Sequence, residues 1–346
     1  MAIRVLGIET SCDETAVALV RDGRVVESNV VVSQTTMHEQ FGGVVPEQAS
    51  RAHLRAIVPA LLAARAQASV EWADVDAIAV TRGPGLAGAL LVGLSAAKGL
   101  AFVTKKPLLG INHLEGHLYA NWLEADESRA EPTFPIAALI VSGGHSDVVL
   151  ALGHGEYRRI GRTRDDAAGE AFDKVARMLG LPFPGGPAIE AAAAAGDPDR
   201  FPFPRSWLEP ESWDFSFSGL KTAVLHQVRA LGVEPGETSA AARREALPVA
   251  DLAAGFQAAV VEVLATKAAR AARAFGARQV ALGGGVAANG ALHRRLLALA
   301  DVPVLCPPPR LCTDNGAMIA VAGYYRYVAG QRDGLDVDVL PSLPIA

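Results

Sequence analysis

A repeated opening limits what this chain can fold into more than any other feature. Ile3–Glu9 reads as a strand, Thr10–Glu14 as a polar turn and Thr15–Val20 as a second strand, and Asp22-Gly23 turns the chain into a third, Val25–Val32. The same strand–turn–strand pattern starts again in mid-chain with Pro135–Val141, the tight turn Ser142-Gly143-Gly144-His145, Asp147–Leu152 and Glu156–Arg162. Residue identity between the two openings is slight, so what repeats is the pattern of elements. After the first opening, helix Pro46–Ala68 leads to strand Ala77–Thr81, helix Leu86–Thr104 and strand Leu108–Ile111. After the second come helices Ala167–Leu179, Ala188–Ala195, Gly219–Ala230 and Pro248–Phe275. Strand Val280–Leu282, helix Ala287–Ala300, strand Val302–Leu305 and a closing helix Asn315–Ala329 follow. Strands alternating with helices predict a layered α/β architecture, and the restart predicts a duplicated one. Pro198–Pro210 and Leu231–Arg244 read as irregular surface excursions, and residues 331–346 as a Pro-containing tail.

At 346 residues, half of them hydrophobic and a fifth charged, the chain has room for two packed domains and is not disordered. Its net charge of −5 argues against an autonomous nucleic-acid binder but leaves room for a local basic patch. Arg158, Arg159, Arg162 and Arg164 form one such cluster and Arg294 with Arg295 another; the plainer reading is solvated arginine on a strand and on a helix face. Cys12, Cys306 and Cys312 make no disulfide framework and no CxxC pair, which fits a reduced, cytoplasmic compartment. The first residues are too short and strand-like for a signal peptide. No apolar run reaches membrane-spanning length without a Gly or charge; Ala89–Val103 comes nearest and Lys98 interrupts it. These features lead us to expect a soluble protein.

His113 and His117 stand one helical turn apart, so both imidazoles face the same side and can grip one metal ion. Asp314, distant in sequence, would complete a two-histidine, one-carboxylate set with coordination positions left open. An ordinary helix face has the same spacing. A metalloprotease needs Glu directly after the first His, where Leu114 stands; Glu115 lies about 200° around the helix. Four glycine turns sit at strand ends or helix starts: Gly83–Gly88, Ser142–His145, Pro184–Pro187 and Gly283–Gly290. Each has a structural reading, and none is a P-loop or a GxGxxG; together they point to a nucleotide cleft. Asp165 and Asp166 suit the dipole of the helix they precede, whereas Asp173 and Glu190 are better placed to accept hydrogen bonds from ribose hydroxyls.

Taken in order, these segments resemble the universal threonylcarbamoyltransferases, the tRNA threonylcarbamoyladenosine synthase family. The matching stretches are Glu9-Thr10-Ser11-Cys12-Asp13-Glu14-Thr15, Gly42-Gly43-Val44-Val45-Pro46-Glu47, Gly83-Pro84-Gly85-Leu86, the HxxxH segment and Val141-Ser142-Gly143-Gly144-His145. They continue through Asp165–Lys174, Pro184–Pro187, Asp214–Thr222, Gly284–Asn289 and Thr313–Ala317, so the resemblance spans about residues 3 to 330. It implies an actin/Hsp70/hexokinase-type fold, with two ribonuclease-H-like subdomains around a nucleotide cleft. We expect residues 1–133 to form the first, 134–330 the second, and 331–346 a tail.

The reaction implied moves a threonylcarbamoyl group from threonylcarbamoyl-adenylate to N6 of the adenosine 3′ to the anticodon, in tRNAs that read codons beginning with A, and releases AMP. By the same resemblance His113, His117 and Asp314 hold one divalent metal, iron or zinc. Ile140, Val141, Ser142, Gly143, Gly144, Asp173, Gly186, Glu190 and Asn289 would bind the adenylate. Glu9, Asp13 and Glu14 are the candidates for general base, with no basis for choosing among them. Expected partners are a smaller paralogue of the same fold and a P-loop ATPase, with no membrane. Two departures stand out. Ile140 occupies the place of a tyrosine metal ligand in archaeal and eukaryotic relatives, which makes the chain bacterial in type with a more open metal. Ser146-Asp147 replaces the more usual Thr-Gln, which reads as harmless strand variation. Two rivals remain, a small-molecule kinase of the same fold and a non-catalytic subunit.

Overall fold

The computed structural model describes residues 2–39, 41, 43–123, 132–209, 211–236 and 238–346. Gly42 of the Gly-Gly-Val-Val-Pro-Glu stretch, and Pro210 and Glu237 in the two excursions, lie outside the described residues. The chain divides into two compact units: residues 1–132, 154–156 and 307–346 form the first, and residues 133–153 and 157–306 the second.

In the first unit, β1 (Arg4–Glu9), β2 (Glu14–Arg21) and β3 (Val25–Ser33) form the expected meander. A short α1 (Thr35–Glu39) and the long α2 (Pro46–Ala68) lead to β4 (Ala77–Gly83), α3 (Ala87–Thr104), β5 (Leu108–Asn112) and α4 (His113–Tyr119). The sheet order is β3-β2-β1-β4-β5, with β1 antiparallel to β2 (Leu6 opposite Leu19) and parallel to β4. The core on one side of this sheet joins Leu6, Ile8, Val17 and Leu19 to Ile57, Leu61, Ile78 and Leu94.

The second unit repeats the plan. It begins with β6 (Ile136–Val141), β7 (Ser146–Gly153) and β8 (Glu156–Arg162), followed by α5 (Ala168–Met178), α6 (Gly185–Ala193), α7 (Ser218–Ala230), α8 (Ala240–Ala246) and α9 (Val249–Ala274). It closes with β9 (Gln279–Gly283), α10 (Gly290–Leu299) and β10 (Val304–Leu305). Its order is β10-β9-β6-β7-β8, with β6 antiparallel to β7 and parallel to β9, so both sheets have the same order and sense. All six residues of β6 are buried, as a central strand covered on both faces requires.

The structure differs from the sequence expectation in three places. Residues 307–330, expected in the second unit, belong to the first: α11 (Pro309–Cys312) leads into α12 (Gly316–Val328), which packs on β1, β2 and β4. Residues 331–346 are docked and not a loose tail, because Leu340 N donates to Arg82 O at 2.7 Å and Gly85 N to Pro341 O at 3.1 Å. Part of the second excursion is helical (α8), started by Ser239, whose Oγ accepts from Ala242 N at 3.3 Å. Two helices, α3 and α9, are long and apolar enough to cross a membrane by length and composition, and each carries the glycine and charge interruptions read from the sequence. However, α9 is mostly buried among its own unit's helices and strands, and α3 packs against α2 and β4.

Candidate metal centre and glycine turns

His113 opens α4 and His117 lies in its last turn, and every residue of this short helix is buried. The helix starts there because Asn112 caps it: its Oδ1 accepts from Leu114 N at 2.9 Å, while its Nδ2 donates to Pro344 O at 2.8 Å. The docked C-terminal segment thus holds the residue that holds the helix. Opposite, Asn315 caps α12 by accepting from Met318 N at 3.0 Å, which places Asp314 just outside the helix start. That start lies directly on the sheet. A Cβ on Gly316 would sit 2.5 Å from Ala18 N, and one on Gly7 only 2.1 Å from Gly316 O.

These contacts bring the three expected ligands together. His117 Nε2 lies 3.2 Å and His113 Nε2 3.6 Å from Asp314 Oδ1, and the ring centroids are 4.7 Å apart. In a tetrahedral shell with bonds of about 2.0–2.1 Å, ligand atoms stand roughly 3.4 Å apart, so the spacing suits a metal ion. The converging set contains Asp314 and not Glu115. His113 Nδ1 faces Glu9 Oε2 at 3.0 Å and Ser11 Oγ at 3.2 Å. Glu9, fully buried, also accepts from Thr81 Oγ1 at 2.6 Å and from Ser11 N. It turns the imidazole so that Nε2 points at Asp314, as carboxylate partners of metal-bound histidines do.

Two observations test the fit to a divalent metal. His117 is fully buried, yet among the described residues neither ring nitrogen has a hydrogen-bond partner, although Asp314 Oδ1 lies 3.2 Å from Nε2. Leaving a buried polar group unsatisfied costs on the order of 1–3 kcal/mol, and a bound metal ion removes that cost. In addition, negative charge is crowded here. Burial, followed by the charges on Asp314 and Asp13, pushes the Glu14 carboxyl up to about 9. Burial lowers His113, but the Asp314 and Glu9 charges outweigh it and lift the imidazole to about 9. The residues present fit a cation.

Of the three candidate bases, Glu9 is committed to His113, and Glu14, whose carboxyl is pushed up chiefly by burial, accepts from Ser33 Oγ at 3.2 Å. Asp13 is half-buried at the end of the turn between β1 and β2. Ser11 and the orienting role of Glu9 escaped the sequence reading, because nothing in their spacing pairs a first-strand carboxylate with a histidine on a distant helix.

The remaining candidates lie in the second unit. Ile140 and Val141 are buried backbone partners of Asp147 and Ser146. The turn after them is closed by Ser142 N donating to His145 O at 2.8 Å, and Gly169 N of α5 donates to Ser142 O at 3.1 Å. Gly143, Gly144 and Gly186 have no atom within 4 Å of where a Cβ would stand, so open space surrounds them. Asp173 Oδ1 accepts from Gly185 N at 2.7 Å, at the start of α6, and Glu190 Oε1 from Gly290 N at 2.8 Å, at the start of α10. Asn289 caps α10 through Leu292 N at 2.9 Å and donates to Gln257 Oε1 at 2.8 Å. Each of these three side chains therefore fixes a helix start with at least one polar atom.

Asp165 and Asp166 do something other than serve the helix they precede. Asp165 accepts from Phe217 N, Ser218 N and the Ser216 and Ser218 hydroxyls at the start of α7. Asp166 is paired with Lys174 at 2.8 Å and Lys221 at 2.7 Å. Nor is Asp147 a neutral variation. It is 4 % exposed, and burial pushes its carboxyl up to about 6 although the Arg159 and Arg162 charges favour ionisation.

The fold and this site define an α/β enzyme of the actin/Hsp70/hexokinase class. HypF from T. kodakarensis is similar over 95 % of this chain and 48 % of its own, with TM-score 0.61 and 16 % identity. The (R)-2-hydroxyglutaryl-CoA dehydratase component A of Acidaminococcus fermentans is similar over 94 % of this chain and 99 % of its own, with TM-score 0.52 and 14 % identity. Residues 25–321 match the family model described as TsaD, tRNA N6-adenosine threonylcarbamoyltransferase. Proteins of that name from Thermomicrobium roseum and Geobacillus kaustophilus are 59 % and 53 % identical, each over 99 % of this chain and 96 % and 97 % of their own. The chain belongs to the tRNA N6-adenosine threonylcarbamoyltransferase family and is a transferase.

Proposed function

We propose that this chain transfers a threonylcarbamoyl group from threonylcarbamoyl-adenylate to N6 of adenosine 37, 3′ to the anticodon, in tRNAs reading ANN codons. The amine lone pair forms the new bond to the carbamoyl carbon, the carbon–oxygen bond to phosphate breaks, and AMP leaves. The observation that carries this reading is the buried His113, His117 and Asp314 set, with both His117 nitrogens unpartnered, in a chain over half identical to enzymes of this name. An iron or zinc ion held by these three residues would supply Lewis-acid polarisation of the carbamoyl carbonyl, worth several kcal/mol. Glu9 fixes the tautomer and direction of His113. With Glu9 committed to His113, Asp13 and Glu14 are the remaining first-turn carboxylates for the N6 proton.

The turn Ile140–Gly144 with Asp173, Gly186, Glu190 and Asn289 is assigned to the adenylate, supported by the open space at Gly143, Gly144 and Gly186. Backbone N–H groups in such turns stabilise phosphate charge. For partners we infer a smaller paralogue of the same fold and a P-loop ATPase. Leu54, Val58 and Leu62 on α2 and Leu91, Phe102 and Val103 on α3 are exposed, an apolar surface suited to a protein partner. Three free cysteines fit a cytoplasmic enzyme.

One assay tests the reading: tRNA transcript, threonylcarbamoyl-adenylate, this protein and the two partners. Wild type should produce modified adenosine, and the His113→Ala/His117→Ala protein should not. Equal product from both would remove the metal role, and no product from wild type would remove the function.

A further inference from the structure

The edge strand of the second sheet carries arginines that the chemistry above does not use. The Arg158 guanidinium lies 4.9 Å above the Phe275 ring, Phe275 lies 5.5 Å from Trp213, and the Arg270 guanidinium lies 5.1 Å above Trp213. Two aromatic rings thus hold two arginines at the ends of a row. Arg162 projects from the same face of β8 as Arg158, about 13 Å along the strand, and both are exposed. The row is rigidly built. Phe215 N donates to Arg162 O and Arg164 N to Phe215 O, both at 2.9 Å, which adds the Trp213–Phe215 segment to the β8 edge. A Cβ on Gly161 would stand 2.3 Å from Trp213 O. Lys267 of α9, fully buried, donates to Trp207 O at 3.1 Å and to Asp214 O, anchoring the segment from below.

Arg158, Arg162, Arg164 and Arg270 gather here in a chain of net charge −5. Asp214 is engaged by Arg164 Nε at 2.9 Å and by Arg162 N at 3.0 Å. Burial, and then the charge on Arg270, lower Lys267 to about 8.

We propose that the row formed by Arg158, Phe275, Trp213 and Arg270, together with Arg162, receives the phosphate backbone of the tRNA substrate. This inference rests on the function proposed above. A guanidinium held against a ring loses less rotamer freedom when a phosphate arrives than a free one does. Arginine meets phosphate through two parallel hydrogen bonds, and each contact releases counterions, so binding weakens with salt. Backbone contacts of this kind set register and leave sequence selection to other residues.

The test uses the full chain with both partners, the Arg158→Gln/Arg162→Gln variant and Arg158→Lys. The double variant should raise KM for tRNA about tenfold and flatten the slope of log affinity against log salt by about one to two. The loss should fall on KM and not on kcat, with KM for the adenylate unchanged. Arg158→Lys should keep the slope but recover only part of the affinity, because an ammonium does not stack as a fork. An unchanged tRNA KM and slope, with wild type active, would overturn the proposal. So would intact tRNA affinity with loss of a protein partner, which would make this an acidic-protein surface. Wild type that neither binds nor modifies tRNA would overturn this surface together with the function, and only that outcome shows in the wild type. Equal melting temperatures for the variants exclude misfolding as the source of the loss.

Discussion

Replacing Asp147 by Asn tests whether burial governs the second unit's sheet as the structure requires. Asp147 stands on β7 opposite Ile140 and is 4 % exposed. Burial drives its carboxyl up, the Arg159 and Arg162 charges offset part of that, and the balance is about 6 against an ordinary 3.8. A folded value above the unfolded one gives a contribution that is complete below the unfolded value and is lost as pH rises through the folded one. For Asp147 the window runs from about pH 4 to about pH 6, and the loss across it is roughly 3 kcal/mol. Asn has nearly the same shape and no charge, so the advantage of the variant over wild type should grow by up to roughly 3 kcal/mol between about pH 4 and pH 7.5. Its amide brings two N–H donors into the same space, a penalty of about 1–3 kcal/mol that is equal at both ends and leaves the slope intact.

Because the chain has two units, a single unfolding free energy is a poor measure, and local protection is the better one. Hydrogen exchange across residues 146–153 in variant and wild type, compared at each pH, cancels the intrinsic exchange rates. A protection ratio that stays constant from about pH 4 to pH 7.5 would refute the reasoning, since a buried carboxyl that titrates cannot leave the ratio flat.

Four further outcomes follow, three from the first unit and one, at Gly219, from the second. Glu9→Gln should weaken metal affinity about 10–100-fold in a direct metal titration while the chain stays folded, because it removes the charge that orients His113. Gly316→Ala places a Cβ 2.5 Å from Ala18 N, so it should cost about 1–3 kcal/mol of thermal stability and lower metal affinity by moving Asp314. Gly219→Ala in α7, with nothing within 4 Å, should be neutral or slightly stabilising in the same melts. Asn112→Ala should lose about 1 kcal/mol of cap and loosen α4, and deleting residues 341–346 should reproduce part of that loss in the metal titration. Unchanged affinity after both would break the proposed link from the C-terminal segment to His113.

The duplicated plan was legible because each meander carries its own turn chemistry and period-two strands, and these are local signals. His113 and His117 were legible as a pair for the same reason, being one turn apart. Asp314 was legible as their partner only through family resemblance, since no spacing rule links a residue before α12 to a helix in the first half. The return of residues 307–346 to the first unit was not legible. Residues 316–323 of α12 are all buried, and a helix apolar all round announces that it is covered without saying by which sheet. What decides the choice is a set of residues with no side chain at all. Gly7 in β1, Gly116 in α4, and Gly316 and Gly323 in α12 each stand where a Cβ would lie under 3 Å from the facing chain. In a sequence, glycine inside a strand or helix reads as a local weakness. In this fold it marks close approach, backbone to backbone at Gly7 and Gly316 and backbone to side chain at Gly116 and Gly323. The candidate metal site therefore depends on residues that carry no chemistry: the close approach at Gly316 sets where Asp314 stands relative to His113 and His117.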